Sequence, residues 1–472
     1  MPHVRTGAHP IHTMATEPLG QRVSLVWGGR VLRRSTRPVF ALLKWFSRAA
    51  RVTDDCRFCF RVSNARGEAL PSTKSTRIGT PKSLRALRRD AAMTDRIMDF
   101  LRDRREKGQD DGPCMVLDLN VVRDNYNAFA KALPDTRVFY AVKANPSPEV
   151  LKLLAALGSC FDTASVVEIQ QALAAGASPD RVSFGNTIKK ERDIARAYEL
   201  GIRLFAVDCE AEVEKVARAA PGSRVFCRIL CNGEGAEWPL SRKFGCVPEM
   251  AGRVLEHAHR LGLVAYGLSF HVGSQQRNPR MWDAALASSA EIFRDLAERG
   301  IHLSMVNLGG GFPTKYLKDV PAVKAYGQSI FKSLRKHFGN AIPETIIEPG
   351  RGMVGNAGMI EAEVVLISKK SDDDQVKWVY LDIGKFNGLA ETMDEMIRYP
   401  IRTAYDGDEL EPCVLAGPTC DSVDVLYEKD PYLLPVSLEI GAKVLIEGTG
   451  AYTTTYSAVE FNGFPPLKSY VI

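Results

Sequence analysis

The feature that most limits the possible folds of this chain is an alternation that begins near residue 138. Short apolar segments alternate with segments whose apolar residues recur at helical spacing. This order is typical of β-α-β units and a parallel sheet, and so of an α/β protein. The predicted strands are Val138–Val142, Cys160–Asp162, Arg181–Phe184, Arg203–Val207, Arg224–Ile229, Val264–His271, Leu303–Leu308 and Thr345–Glu348. Eight repeats predict a (β/α)₈ (TIM) barrel, whose usual size is about 250 residues.

Amphipathic segments separate most of these strands. The clearest are Glu149–Leu157, Val166–Ala175, Glu249–Leu261 and Trp282–Arg299. The register of the fifth strand is the least defined, because residues 231–238 after it resemble a loop insertion.

The helical rhythm ends near residue 355, and β-rich segments follow. They are Ile360–Ile367, Lys377–Asp382, Pro412–Ala416 and Lys443–Ile446. These segments predict a separate C-terminal all-β domain, which the earlier strand Met115–Leu119 is expected to join. The predicted divisions are an N-terminal segment at 1–92, a helix and strand at 93–122 that join the β domain, the barrel at 123–358 and the β domain at 359–472.

The net charge of +6 is unevenly distributed along the chain. Residues 1–92 contain 18 Lys and Arg against 5 Asp and Glu, whereas residues 93–472 contain 44 against 51. The body is therefore mildly acidic, and we expect no nucleic-acid partner for it. We expect residues 1–92 to be disordered or to result from an over-extended start, because Met93 begins a plausible helical start. An organelle transit peptide and an amphipathic arm that binds membrane or nucleic acid are the alternatives.

The cysteines and the hydropathy indicate a cytoplasmic protein. No run of 18 or more apolar residues is present, so no membrane span is predicted. The ten cysteines show no regular framework, which fits free thiols in a reducing compartment. Cys56 and Cys59 have CxxC spacing, but no second pair follows nearby, and we predict no metal site.

Polar residues and glycines follow the predicted barrel strands, where the active sites of such barrels lie. Lys143 closes the first strand; it is either a lysine that forms a Schiff base or a solvated lysine at the rim. Asp162 closes the second strand and could instead cap the next helix. His271 and Ser274 follow the sixth strand, where a lone histidine is more often structural.

The last two strands end in further candidate groups. Gly309, Gly310 and Gly311 follow the seventh strand and would let a phosphate approach the backbone, or they form only a tight turn. Glu348 and Arg351 follow the eighth strand. A carboxylate there could keep a ring nitrogen protonated and the arginine could contact a phosphate; an ion pair between the two is the alternative.

Taken in order, these motifs resemble a known family. They are Tyr-Ala-Val-Lys143-Ala-Asn, His271-Val-Gly-Ser274, Gly309-Gly-Gly-Phe-Pro, Glu348-Pro-Gly350-Arg351, Gly417-Pro-Thr-Cys420-Asp421-Ser-Val-Asp424 and, further on, Tyr452 and Phe461-Asn-Gly-Phe464. Across residues 113–472 the chain resembles the fold-type III pyridoxal-phosphate (PLP) decarboxylases, which act on ornithine, lysine, arginine or diaminopimelate. Ornithine decarboxylase is the branch it resembles most.

The resemblance implies a role for each matching residue. Lys143 would carry the cofactor, His271 would stack on its ring and Glu348 would pair with the ring nitrogen. The residues that would hold the phosphate are Ser274, Gly309, Gly310, Gly311, Gly350, Arg351 and Tyr452, and Asp162 and Arg228 would surround Lys143 and the cofactor. Cys420 would donate a proton to the product, and Asp421 and Phe461 would contact the substrate. In the family the Cys-Asp loop comes from the partner subunit, which implies a homodimer with shared active sites.

The resemblance favours ornithine, giving putrescine, over its alternatives. The Cys420-Asp421 pair suits a distal ammonium, whereas the diaminopimelate branch resembles a Cys-Glu pair. Glu391 or Asp394 would be the second acidic group that contacts the substrate, although the local spacing differs from that of the eukaryotic ornithine enzymes. Ornithine and lysine differ by one methylene, worth only about 1–3 kcal/mol, so lysine stays an alternative. Two further alternatives are a racemase of the alanine racemase type and a catalytically silent regulatory protein.

Overall fold

A computed structural model describes residues 24–27, 30–33, 94–231, 233–238 and 242–472. The chain divides into two units, residues 1–82 and 83–472. In the first unit the strands Ser24–Trp27 (β1) and Arg30–Arg33 (β2) pair antiparallel. The expectations for the rest of 1–92, including the CxxC pair, lie outside the described residues.

The second unit contains all the other described elements. Its strands are β3 (Cys114–Leu117), β4 (Thr136–Ala141), β5 (Cys160–Thr163), β6 (Val182–Phe184), β7 (Leu204–Val207), β8 (Arg224–Arg228), β9 (Ala236–Trp238), β10 (Val264–Ser269), β11 (Ser274–Gln276), β12 (Met305–Asn307), β13 (Glu344–Ile347), β14 (Gly358–Ser368), β15 (Lys377–Leu381), β16 (Ile401–Thr403), β17 (Leu410–Ala416), β18 (Val425–Pro435), β19 (Lys443–Glu447) and β20 (Lys468–Val471). Its α-helices are α1 (Asp95–Glu106), α2 (Leu119–Ala132), α3 (Pro148–Ala156), α4 (Val166–Ala174), α5 (Glu191–Glu199), α6 (Glu210–Ala219), α7 (Pro248–Arg260), α8 (Trp282–Glu298), α9 (Val323–Phe338) and α10 (Arg351–Val354).

Eight parallel strands close into a barrel in the order β4-β5-β6-β7-β8-β10-β12-β13. Short strands such as β7 (Leu-Phe-Ala-Val) are buried along their whole length, as expected for parallel strands covered on both faces. Alternate side chains point inward, and a cluster that contains no helix residue fills the interior. It consists of Phe139, Cys160, Leu204, Ala206, Phe226, Met305 and Ile346. The predicted eight-stranded barrel is therefore confirmed.

The C-terminal part forms a β sheet with the order β16-β19-β14-β15-β17-β18. Strand β3 pairs antiparallel with β14 and parallel with β20, so the early strand is part of this sheet. The sequence did not predict β16, β18 or β20. Helix α1 begins after Thr94, whose side chain accepts a hydrogen bond from the amide of Ile97, and it buries Ile97 and Leu101 against β3 and Met359.

Two smaller findings concern the sequence predictions. The region after the fifth barrel strand contains β9, which pairs antiparallel with β11, so it is a short ribbon rather than only a loop. Among the described residues, no helix is long and apolar enough to cross a membrane.

Candidate active site

The carboxyl ends of the barrel strands surround a pocket of about 360 Å³. Its lining comes from the carboxyl ends of five barrel strands and the loops after them, and from the β-sheet domain, in agreement with the place of active sites in such barrels. The lining residues are Ala141, Lys143, Asp162, His271, Ser274, Gly310, Gly311, Phe312, Glu348, Gly350, Arg351 and Tyr452. Ten of these twelve were predicted from the sequence as site residues; Ala141 and Phe312 were not.

Lys143 lies in a single 3₁₀ turn, Val142–Ala144, directly after β4. Lys143 is accessible and lines the pocket, while its neighbours Val142 and Ala144 are buried. Burial opposes the charged amine, but the acidic groups of Tyr452, Asp162 and Glu348 outweigh that effect and raise the pKa of Lys143. An ammonium is thus favoured in the pocket, and its loss of a proton depends on the surrounding carboxyls.

Asp162 is one of those carboxyls, at the end of β5. Burial, and next the nearby charge of Glu348, raise the pKa of Asp162 well above its usual value. Its Oδ1 accepts a hydrogen bond from Ser183 at 3.1 Å. Gly185, which we did not predict, leaves room for it, since an added Cβ would lie 1.8 Å from Oδ1. The alternative in which Asp162 caps the next helix is wrong, because Ser165 caps α4.

His271 is held as a neutral ring. Burial and the positive charges of Arg228 and Lys143 lower its pKa well below the usual value. The amide of Gly273 donates to its Nδ1 at 3.0 Å, which leaves any ring proton on Nε2. The guanidinium of Arg228 lies 5.3 Å from the ring centre of Phe244, and Arg228 does not line the pocket itself.

The three glycines after β12 form a surface on which side chains cannot be accommodated. Gly309 has φ +66°, and an added Cβ would lie 1.9 Å from the carbonyl oxygen of Phe270. A Cβ on Gly310 would lie 2.7 Å from the carbonyl oxygen of Glu348 and 3.2 Å from Nε2 of His271. Gly310 and Gly311 line the pocket, so a ligand there meets backbone rather than side chains, whereas Gly309 does not line it.

Asn307, the last residue of β12, joins this loop to Glu348. Its Oδ1 accepts from the amide of Gly309 at 2.9 Å, and its Nδ2 donates to Oε1 of Glu348. Asn307 is 2% exposed. The sequence motif began two residues later, so Asn307 was missed; a buried amide at a strand end was the signal that could have identified it.

Arg351 does not pair with Glu348, the partner that the sequence alternative gave it. Its guanidinium donates to both oxygens of Glu391, at 2.7 and 2.6 Å, and to the hydroxyl of Tyr316 at 2.8 Å. It also lies 3.3 Å from Oγ of Ser274. Glu391 does not line the pocket; it is buried behind Arg351, which occupies its carboxylate. Asp394 is 83% exposed and pairs with Lys429.

Tyr452 is fixed by the loop that follows Lys143. Its amide donates to the carbonyl of Ala144 at 2.9 Å, and its φ of 58° is unusual for a non-glycine residue. An added Cβ on Gly350 would lie 2.9 Å from the Tyr452 hydroxyl. The three elements that supply Lys143, Arg351 and Tyr452 are therefore in direct contact.

Among the described residues, Cys420, Asp421 and Phe461 lie outside this pocket. Cys420 is exposed, and its amide donates to Oδ1 of Asn462 at 2.9 Å. Phe461 stacks on Phe386 with ring centres 4.7 Å apart. The carboxylate of Asp424 holds the Cys420 loop through the amides of Lys385 and Thr419, a role that we had not assigned to it.

Comparisons with known proteins identify the family. The profile described as "Pyridoxal-dependent decarboxylase, pyridoxal binding domain" matches residues 119–355. The chain belongs to the pyridoxal-dependent decarboxylases. It is 36% identical to a lysine/ornithine decarboxylase of Selenomonas ruminantium over 354 residues, 75% of this chain and 87% of that protein. It is 33% identical to an ornithine decarboxylase of Schizosaccharomyces pombe over 74% of this chain and 81% of that protein.

A solved structure agrees with this assignment. The lysine/ornithine decarboxylase of Vibrio vulnificus complexed with cadaverine superposes with a TM-score of 0.72 and 32% identity, and the match covers 81% of this chain and all of that one. The chain is accordingly a PLP-dependent carboxy-lyase that acts on basic amino acids.

The pocket fits the cofactor of this family on its own geometry. A reactive amine at Lys143, a carboxylate at Glu348 and a glycine cradle next to Arg351 are grouped around one cavity. An aldehyde, a ring nitrogen and a phosphate are the groups of PLP that such residues would meet.

Proposed function

We propose that the protein decarboxylates L-ornithine to putrescine and also accepts L-lysine, with polyamine biosynthesis as its role. The observation that carries the proposal is the grouping of Lys143, Glu348 and the glycine cradle in one pocket, combined with relatives named lysine/ornithine decarboxylases. Solved relatives complexed with cadaverine and with putrescine, the products of the two reactions, support both substrates. We expect the enzyme to discriminate between ornithine and lysine by only about 1–3 kcal/mol, because the two substrates differ by a single methylene.

Each lining residue has a proposed duty. Lys143 would bind the cofactor aldehyde, and His271, because it is neutral, would lie against the ring without adding positive charge. Glu348 would lie beside the ring nitrogen, with its carboxyl group oriented by Asn307. The phosphate would be held by Ser274, Gly309, Gly310, Gly311, Gly350, Arg351 and Tyr452.

The bound cofactor supplies a sink for the electron pair that remains when CO₂ leaves. The chain supplies proton control and orientation. Lys143 must give up a proton before it can act as a nucleophile. The nearby carboxyl groups of Asp162 and Glu348 raise its pKa and so oppose this loss of a proton. Fixed groups of this kind stabilise developing charge without reorganisation.

The acid that protonates the product would come from a second copy of the chain. Cys420 and Asp421 are outside the pocket of their own chain, and apolar side chains are exposed in the same region, with Val423 60% and Val459 86% accessible. Such side chains favour burial by a partner. We therefore propose a homodimer in which the Cys420 loop and Phe461 complete the partner's site. Asp421 would receive the distal ammonium.

We also propose a cytoplasmic location, since all eight described cysteines are free thiols.

The first test is CO₂ release from the purified protein with PLP and, in parallel, L-ornithine, L-lysine, L-arginine and meso-diaminopimelate. We expect release from ornithine, less from lysine, and none in Lys143→Ala. Release from diaminopimelate alone would refute the substrate class. Lack of release from all four, in protein that binds PLP, would favour a catalytically silent regulatory protein.

Subunit mixing tests the shared site. Lys143→Ala and Cys420→Ala should each be nearly inactive, and reassembly of an equal mixture should restore activity to about a quarter of the wild-type value, because half of the dimers contain one complete site. A mixture as inactive as its components would refute the shared site.

A further inference from the structure

Every hydrogen-bond donor of Arg351 is occupied by the chain itself. A guanidinium has five N–H groups. Nη1 donates to Glu391 and Tyr316, Nη2 donates to Glu391 at 2.6 Å and to Ser274 at 3.3 Å, and Nε donates to Ser274 at 3.4 Å. The contact with Glu391 is bidentate, the geometry that fixes a guanidinium plane most firmly.

The charge of Arg351 is also balanced before any ligand arrives. The side chains of Arg351 and Glu391 are 3% and 6% exposed, so water screens them little. Tyr316 does not contribute a negative charge, because burial raises its pKa to about 12. Among the described residues, Glu391 is the carboxylate within ion-pair distance of Arg351. A phosphate in the pocket would therefore meet a nearly neutral pair.

We infer that Glu391 is a positioning residue that orients Arg351 and offsets its charge, and so sets the affinity for the phosphate of the cofactor. It is then not the group that receives the distal ammonium of the substrate. The inference rests on the proposed function, since it requires Arg351 to face the phosphate.

The backbone around Glu391 supports this role. Glu391 lies in the 3₁₀ segment Ala390–Glu395, and its carbonyl accepts the amide of Ile397 at 3.1 Å. The segment breaks at Met393 and Asp394, where φ of Asp394 is 53°, so the two acids that the sequence could not distinguish separate. Glu391 is buried against Arg351, which lines the pocket, and Asp394 is 83% exposed.

An alternative duty for Glu391 would be costly. To bind a substrate ammonium, its carboxylate would have to release Arg351, and removal of one partner from a buried ion pair leaves a buried charge uncompensated. Because both carboxylate oxygens are engaged by Arg351, the pair would have to open in each catalytic cycle.

The test compares two ligands that differ only in the phosphate. The dissociation constants of PLP and of pyridoxal are measured by absorbance titration of cofactor-free protein, in the wild type and in Glu391→Gln. The amide keeps the size of the side chain and removes its charge, while Tyr316 and Ser274 still hold Arg351. We expect the affinity for PLP relative to pyridoxal to increase about tenfold, which corresponds to about 1.4 kcal/mol. We expect KM for ornithine to change less than threefold.

Two variants accompany it. Glu363→Gln, an exposed carboxylate on β14 that pairs with Lys443, is the matched control and should leave the affinity ratio unchanged. Glu391→Asp keeps the charge but shortens the side chain, so Arg351 is oriented less firmly and the affinity ratio should fall by at least threefold; this variant serves if Glu391→Gln does not fold.

If a folded Glu391 variant has a ratio of PLP affinity to pyridoxal affinity within threefold of the wild type, the inference is overturned. If the same variant also has a tenfold higher KM for ornithine, Glu391 instead contacts the substrate. If the wild type itself does not bind PLP, the proposed function fails instead.

Discussion

The contact between Asn307 and Glu348 leads to the most specific prediction about the site. In Asn307→Ala, the amide of Gly309 loses its acceptor and Glu348 loses a donor. An unsatisfied buried N–H costs about 1–3 kcal/mol, and a hydrogen bond to a charged group contributes about 1.5–3 kcal/mol. Since water can enter the space left by the side chain, we expect the free energy of unfolding to fall by about 2–4 kcal/mol, together with weaker PLP binding.

A second substitution at the same position separates the two contacts. Asn307→Asp keeps the acceptor for Gly309 but places a carboxylate against Glu348. The repulsion raises the pKa of the new acid in the folded state above its unfolded value of about 3.9. Relative to the wild type, Asn307→Asp therefore loses the most stability at pH values well above the folded-state pKa of the new acid. This loss shrinks as the pH falls toward the pKa of the acid in the unfolded chain. In Asn307→Ala the loss should be independent of pH.

The assay is urea unfolding of the cofactor-free protein at fixed concentration between pH 5 and pH 8. Asn120→Ala is the control, because Asn120 is an exposed residue whose side chain contacts Arg123, and it should stay within about 0.5 kcal/mol of the wild type. If Asn307→Ala is as stable as this control, or if the deficit of Asn307→Asp does not vary with pH, the proposed bridge between the glycine loop and Glu348 is refuted.

Two other predictions concern the stability of the unit. The pKa of His271 in the folded protein is well below its unfolded value of about 6.5. As the pH falls, the unfolded chain therefore takes up a proton first. The free energy of unfolding should decrease below pH 6.5 by up to about 1.4 kcal/mol per pH unit. His271→Gln should flatten this slope in urea unfolding; equal slopes in both proteins would refute it. A chain that begins at Met93 retains every described contact of α1 and should bind PLP and decarboxylate ornithine like the full chain. A chain that begins at Pro113 loses the burial of Ile97 and Leu101, and should be less stable by about 3–6 kcal/mol. Poor PLP binding by the chain from Met93 would contradict the first expectation, and equal unfolding midpoints for the chains from Met93 and Pro113 would contradict the second.

The barrel and much of its pocket could be predicted because they depend on local signals. Lys143, His271 and Glu348 each lie one or two residues after a short, largely apolar strand, so their place follows from chain order alone. The β sheet was harder. Strand β20, for example, is four residues long and mostly exposed or half-buried, and it is defined by its pairing with β3, more than 350 residues earlier in the chain.

The errors and omissions at the site have a common physical cause. Sequence spacing places a side chain at the end of a strand, but its partner is decided by packing between elements far apart in the chain. The structure pairs Arg351 with Glu391, forty residues away, in preference to Glu348, three residues away. Because Glu348 is held by Asn307, it is free of Arg351 and can stay beside a ring nitrogen. Two acids with different partners, Glu348 with Asn307 and Glu391 with Arg351, therefore keep the proposed ring site and the proposed phosphate site electrostatically distinct. The Asn307 and the Glu391 experiments each measure one side of this separation.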